Sequence, residues 1–343
     1  MGSRADQENQ RIVLRSRPDG LPEIGCFEMA ATPVGDLPPG MVRCATRYIS
    51  LDPYIRSVLA GNHMGHGIAP GELVPGETVS QVIASNNPDW PKGTWVRCPG
   101  GWQCYSDHSP SELARLPEGL SQPSLALSTL GMPGLTAFAG MVRLAKVTAG
   151  DTVLIPAAVG GVGAMAGQLA RLAGATTIAV TSGEEKRRIA LEELGYSHCI
   201  DRTTQDLGAA LAEVAPAGLS VYFDLVGDPL LSIASQQLAV GGRIVLCGLM
   251  GDYNGAQKTT GPPPGLWIGK RATVMGLVVY DFEHERPAFE RAYAPLLEAG
   301  IIRCNEERHQ GLGSAPEAFC RLMRGDNLGK VVVELSPGGV GIE

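Results

Sequence analysis

Between Asp151 and Ala175 the chain reads DTVLIPAAVGGVGAMAGQLARLAGA. An apolar strand, Thr152 to Ile155, runs into a glycine-rich turn, and a helix follows from Val162 to Leu172. Ala158, Gly160 and Gly163 stand in an Ala-x-Gly-x-x-Gly arrangement with Gly161 and Val162 between them, and Gly167 comes one helical turn later. A residue without a side chain at Gly160 lets a ligand approach the backbone. At Gly163 and Gly167 the same lack lets the helix pack closely on the strand. The helix start offers free N–H groups and a positive partial charge, which suit a pyrophosphate. A lone match of this kind is weak, but a strand before it and a helix after it make it specific.

The region beyond this turn alternates strand and helix. Strands are expected at Thr176 to Thr181, His198 to Ile200, Ser220 to Leu225, Gly242 to Cys247 and Ala272 to Tyr280. Helices are expected at Glu184 to Leu194, Leu207 to Val214, Leu230 to Leu238 and Pro287 to Gly300. Such alternation means right-handed crossovers and a doubly wound parallel sheet. Residues 10–120 differ. Their apolar runs are short and broken by Gly/Pro clusters, as in an all-β module. Leu125 to Lys146 is helix-like with an interruption at Gly131 to Gly134. A last helix, Ala315 to Arg324, and strand, Lys330 to Leu335, would complete the first module and make it discontinuous.

Ser182, at the end of the second strand of the alternating region, follows Thr181 where an NAD site carries an acid for the ribose. Lys186 and Arg202 add cations, so a 2′-phosphate, and with it NADP, is favoured. Arg187 and Arg188 read as exposed helix charges, and Glu184 and Glu185 as acids favoured at a helix start.

Composition excludes several classes. The net charge of −7 argues against a nucleic-acid footprint. Ser121 to Val142 and Thr152 to Ala170 are uncharged or nearly so, but proline and glycine mark them as buried soluble segments rather than membrane spans. Residues 1–11 lack the apolar core of a secretory signal, and eight scattered cysteines without a C-x-x-C pair read as reduced thiols, so a cytoplasmic location is expected. Zinc ligands are missing: Ile49 to Arg56 carries no cysteine, and His63 and His66 have no cysteine nearby. No metal is expected.

With these residues in view, the chain resembles the zinc-free medium-chain dehydrogenase/reductases, in the leukotriene hydroxydehydrogenase/prostaglandin reductase branch that includes alkenal/one double-bond reductases and curcumin-reductase-like enzymes. The similarity spans residues 10–335. It is carried by Ser50 to Arg56, Gly131 to Ala137, Ala157 to Gln168, Phe223 to Gly227, Gly241 to Gly248, Asp252-Tyr253-Asn254, Gly261 to Gly265, Val278 to Phe282 and Gly325 to Lys330. It implies an α/β chain with a GroES-like β-barrel domain (1–125 and 304–343) and a Rossmann NADP-binding domain (126–303), with a cleft between them. It further implies an NADPH-dependent reductase of α,β-unsaturated ketones or aldehydes, and a homodimer joined through the strand near Ala272 to Val279. Tyr253 matches the tyrosine that stabilises the enolate, with packing in the core as its alternative. Tyr54 matches a second cleft tyrosine, or packs under the β domain. Asn254 and Asn327 match cofactor contacts, Asn327 being otherwise a helix C-cap. Trp267 lines the substrate mouth or anchors the core. Arg202 departs from the tyrosine common there, and Asn62, His63 and Met64 do not name an acceptor. Two other readings stay open: an NADPH quinone oxidoreductase, and a non-enzymatic NADPH-binding structural or regulatory protein.

Overall fold

The computed structural model describes residues 8–61, 63–251 and 261–336. The chain divides into two compact units, one of Met1–Leu127, Glu306–Asn327 and Val331–Glu343, the other of Ser128–Asn305 and Leu328–Lys330.

In the first unit β1 (Glu8–Leu14) and β2 (Phe27–Pro33) form an antiparallel pair. Then come β3 (Val42–Ser50), the one-turn helix α1 (Ile55–Leu59), β4 (Thr78–Ser85), β5 (Trp95–Cys98), β6 (Tyr105–His108) and β7 (Ala114–Arg115). These strands are short because Gly/Pro turns interrupt them, so each buries only a few side chains.

The second unit holds α2 (Met132–Phe138), β8 (Thr152–Pro156), α3 (Gly161–Leu172), β9 (Thr176–Thr181), α4 (Glu184–Arg188), β10 (His198–Asp201), α5 (Leu207–Val214), β11 (Leu219–Asp224), α6 (Leu230–Gln236), β12 (Leu238–Leu246), α7 (Pro264–Lys270), β13 (Thr273–Gly276) and α8 (Arg286–Glu298). The strands pair in parallel in the order β10-β9-β8-β11-β12-β13. The order reverses between β8 and β11, and ligands of such sheets bind at the carboxyl ends of the strands there. Leu154, Ile178, Val180, Ile200, Tyr222 and Ile244 fill one face of the sheet. They are β-branched or large, as strands buried on both faces demand.

Several elements depart from expectation: the helix expected to Leu194 passes into a π-turn segment at Ile189–Glu193, and β12 starts at Leu238, before the expected Gly242. The strand expected over Ala272 to Tyr280 is only Thr273–Gly276, because the chain turns into 3-10 geometry at Val279–Glu285. The helix after Gly131 widens into a π-turn segment, Ala139–Leu144. A Cβ at Gly140 would fall 2.6 Å from the Phe223 ring, so the helix lies against β11 at a point where only glycine fits.

The tail returns to the first unit. It forms β14 (Glu306–Gln310), α9 (Ala315–Arg324) and β15 (Lys330–Glu334), giving a seven-stranded sheet in the order β14-β15-β3-β4-β5-β7 with β6 on β3. α9 buries Ala315, Ala318, Phe319, Leu322 and Met323 on one face, the spacing of an amphipathic helix. Phe319 meets Trp102 edge-on at 5.6 Å, and Trp102 stacks on Phe27 at 5.6 Å. The core of the first unit is therefore closed by a residue from the end of the chain.

Candidate functional site

The glycine turn joins β8 to α3. Ala157 leaves the strand at φ 47, a left-handed conformation that costs an alanine about 1–2 kcal/mol. Its carbonyl accepts the Gly160 N–H at 2.9 Å and closes the turn. Gly160 is extended, α3 begins at Gly161, and no side chain caps the helix. The amides of Gly161, Val162 and Gly163 thus belong to the first turn, where the helix supplies no acceptor.

Each glycine has its own reason. A Cβ at Gly163 would overlap the Ala157 carbonyl oxygen and lie 2.9 Å from the Ala158 Cα. One at Gly161 would meet the Lys330 and Pro133 side chains, both at 3.2 Å. One at Gly167 would run into the Tyr196 ring, with Cε2 at 2.6 Å. Gly160 is different. A Cβ there meets only the Ala157 oxygen, at 3.2 Å, and its φ of −73 suits any residue. Of the four glycines this is the least crowded position, with a single backbone oxygen as its close neighbour. Ala158 is fully buried behind the turn.

Further along the sheet, Thr181 closes β9, its hydroxyl 3.3 Å from the Cys199 thiol of β10. Ser182 is half-buried and Gly183 opens α4 at φ 81. The Arg202 N–H donates to the Thr181 carbonyl at 3.0 Å, which brings the ends of β9 and β10 together. Ser182 and Arg202 thus occupy neighbouring strand ends, with Lys186 on the helix after β9. Arg202 is exposed and its guanidinium has no partner among the described residues. Arg187 faces Glu184 at 3.4 Å, and Arg188 holds Glu185 and Glu193 at 2.9 and 2.8 Å. Both are engaged with carboxylates of the same helical segment, as expected of exposed helix charges. Asp201 is also occupied: its carboxylate accepts the Thr203 hydroxyl at 2.6 Å and the Thr203 N–H at 2.9 Å, which holds it below the ordinary carboxylate range.

Asp224 ends β11 at the reversal of strand order. It is fully buried, and its Oδ1 accepts the Tyr222 hydroxyl and the amides of Val226 and Gly227 at 2.8, 3.0 and 2.8 Å. Among the described residues its Oδ2 has no hydrogen-bond partner, and burial pushes its pKa up. The carbonyls of Asp224 and Val226 accept the amides of Cys247, Gly248 and Gly251, so this turn shapes the chain that leads to Asp252. Tyr253 and Asn254 follow and lie outside the described residues, as does Asn62. Trp267 donates to Ser235 at 3.1 Å and packs against the sheet core, which makes it a core anchor.

In the first unit, Tyr54 precedes α1. The segment is held by Asp52, which accepts the Ser50 hydroxyl, and by Arg56, whose guanidinium donates to the Gly20 and Pro18 carbonyls at 2.7 and 3.3 Å. The Tyr54 ring lies 5.1 Å from the His63 ring. Burial lowers the His63 pKa, with help from His66, and favours the neutral imidazole. Asn327 is buried, and the cap of α9 falls to Gly325 at φ 77, so Asn327 is not the helix C-cap. Sequence reasoning missed Tyr196, which belongs to no motif, and placed Asp224 in the Phe223 to Gly227 segment without giving it a role.

A parallel sheet wound in this order, with a glycine turn at its first crossover, defines a dinucleotide-binding oxidoreductase unit. Residues 10–116 match the family model described as N-terminal domain of oxidoreductase, and residues 161–295 the one described as zinc-binding dehydrogenase. The NADPH-dependent curcumin reductase of Escherichia coli (strain K12) is 35% identical over 337 residues, 96% of this chain and 98% of that protein. Prostaglandin reductase 1 of Bos taurus is 34% identical, covering 92% of this chain and 95% of that protein. The crystal structure of CurA from Vibrio vulnificus in complex with NADPH is 34% identical, with TM-score 0.91, over 96% of this chain and 99% of that one. The chain belongs to the medium-chain dehydrogenase/reductase family, in its zinc-free branch of enone and alkenal reductases. It is an NADP-dependent oxidoreductase built from a GroES-like and a Rossmann domain.

Proposed function

We propose that this enzyme reduces the C=C bond of α,β-unsaturated ketones and aldehydes with NADPH, without zinc. Whole-length similarity to a curcumin reductase and to prostaglandin and alkenal reductases supports the substrate class. The observation that carries the cofactor site is Gly160, where the fold crowds a side chain least, through the Ala157 oxygen alone.

The glycine turn, Ala158, Gly160, Gly161, Val162 and Gly163, receives the pyrophosphate on the amides of the first turn of α3. Ser182, Lys186 and Arg202 hold the 2′-phosphate. Asn254 and Asn327 contact the rest of the cofactor. When bound, NADPH would supply a hydride to the β-carbon of the enone, and a proton from solvent to the α-carbon would complete the saturated product. Negative charge then grows on the carbonyl oxygen, and the Tyr253 hydroxyl donates a hydrogen bond to it, with Tyr54 as a second donor. A phenol suits this task because it stays protonated near neutral pH. Metal has no part in this scheme. The zinc in the family description has no evident donor set here: among the described residues no group of three or more His, Cys, Asp or Glu side chains is arranged to hold a metal ion.

We assign residues 1–125 with 304–343 to the substrate domain and 126–303 to the cofactor domain. A homodimer through β13 fits its place at the sheet edge with Thr273 and Gly276 exposed. Eight free thiols fit a reducing cytoplasm, and no helix among the described residues is long and apolar enough to cross a membrane.

The test is NADPH oxidation against a panel of enals, enones and quinones, with NADH alongside. Turnover of enones is expected, and Tyr253→Phe should lower kcat roughly 100-fold, the cost of removing one oxyanion donor. Faster turnover of naphthoquinones with a neutral Tyr253→Phe would instead make it a quinone reductase. Tight NADPH binding with no turnover would make it a binding protein.

A further inference from the structure

Tyr196 follows the α4 segment and is almost fully buried against α3. Its hydroxyl donates to the Gly163 carbonyl at 2.7 Å and lies 3.4 Å from the Ala158 carbonyl. These are two of the three positions that define the glycine turn. Its ring fills the space that Gly167 leaves open, where any Cβ would overlap it. The Gly167 N–H also lies against the phenol oxygen, and burial holds the phenol well above its ordinary pKa, so it stays a donor. The backbone of Tyr196 is pinned in turn by its N–H on the Ala190 carbonyl at 3.0 Å.

We infer that Tyr196 is a positioning residue for the cofactor: its hydroxyl ties Ala158, just beyond β8, to the first turn of α3 and holds the amides of Gly161 to Gly163 in their binding geometry before the pyrophosphate arrives. The physical ground is preorganisation. Ala157 is held in an unfavourable left-handed conformation beside this turn, and the helix start has no side-chain cap. A turn of that kind relaxes unless something outside it fixes both flanks. Tyr196 reaches both flanks with one oxygen. Without that hydroxyl, the bound pyrophosphate has to order the turn itself, and affinity falls. The contact is with the part of the cofactor that NADPH and NADH share, so the effect should not discriminate between them.

This inference rests on the reading that the glycine turn holds the pyrophosphate, and the experiment separates the two. Tyr196→Phe keeps the ring and removes the donor. The dissociation constants of NADPH and NADH are expected to rise together, by roughly 5- to 10-fold, the worth of one hydrogen bond, while kcat at saturating cofactor stays the same. A lower melting temperature with unchanged cofactor affinity overturns the inference and leaves Tyr196 as packing alone. A loss confined to NADPH also overturns it. Gly160→Val tests the parent reading: unchanged NADPH affinity there sinks the pyrophosphate assignment itself. A second measurement needs no Tyr196 variant. In the cofactor-free wild type, amide exchange at Gly160 and Ala164, whose N–H groups donate to the Ala157 and Gly160 carbonyls at 2.9 and 2.8 Å, should be slow; exchange at the rate of open chain overturns the claim that the turn is pre-formed.

Discussion

At the glycine turn, Gly163 lies against the Ala157 carbonyl and the Ala158 backbone, and Gly167 against the Tyr196 ring. At the ends of β9 and β10, Ser182, Lys186 and Arg202 are half-buried or exposed, and the arginines beside them are engaged with carboxylates of their own helical segment. The first region is shaped by close packing, of backbone on backbone at Gly163 and of backbone on a buried ring at Gly167. The second is made of side chains on a surface, at strand ends that pair through Asp201 and Thr181 and are joined by the Arg202 N–H on the Thr181 carbonyl. Their difference predicts a division of labour. The turn governs whether a dinucleotide binds at all, and the strand ends decide which one.

Substitutions should break that division in a graded way. The largest effect belongs to Gly163→Ala, because its new Cβ meets fixed backbone atoms rather than a flexible side chain. A stability loss of about 3 kcal/mol, read by thermal unfolding, is expected from overpacking at such a site. A variant that melts with the wild type would show that the turn is softer than its contacts imply. Next comes Gly160→Val. The melting temperature should hold, since nothing but the Ala157 oxygen approaches. The KM for NADPH and NADH alike should rise by roughly 10- to 100-fold as the backbone becomes blocked. Loss of stability without loss of affinity would move Gly160 into the class of Gly163. The smallest effect is that of Arg202→Ala, which removes a free cation from the neighbouring strand end. KM for NADPH should rise roughly 10-fold, as for one charge-assisted hydrogen bond, with KM for NADH unmoved. An equal rise for both cofactors would end the assignment of this strand end to the 2′-phosphate.

The legibility of these regions in the sequence follows the range of the forces involved. α5 at Leu207–Val214 and α9 at Ala315–Arg324 stand where periodicity alone puts them, because an amphipathic helix is encoded by neighbours three and four residues apart. The π-turn at Ala139–Leu144 was not legible. It arises where Gly140 meets Phe223, a residue of a distant strand. β13 is shorter than its apolar run, since an apolar run says that a segment is buried but not where the chain turns. Arg187 and Arg188 read as solvated charges, and their carboxylate partners are only three to five residues away.

By itself the sequence determined that a strand, a glycine turn and a helix would follow one another, that a parallel sheet would be built around them, and that hydroxyl and cationic groups would stand at the second strand end. These are consequences of local pattern, and local pattern is written in consecutive residues. Tertiary structure alone decided why each glycine is there. Gly163 answers to Ala157, Gly161 to Lys330 and Gly167 to Tyr196, while Gly160 answers only to the Ala157 oxygen. Tyr196 and Gly163 are 33 residues apart in the chain, and only the packing of the β10 side of the sheet brings the phenol to the turn. The same limit applied to Phe319, which closes the core of the first unit from the end of the chain. A glycine in a sequence says that a side chain is missing; the neighbours that folding brings to it say what the space is for.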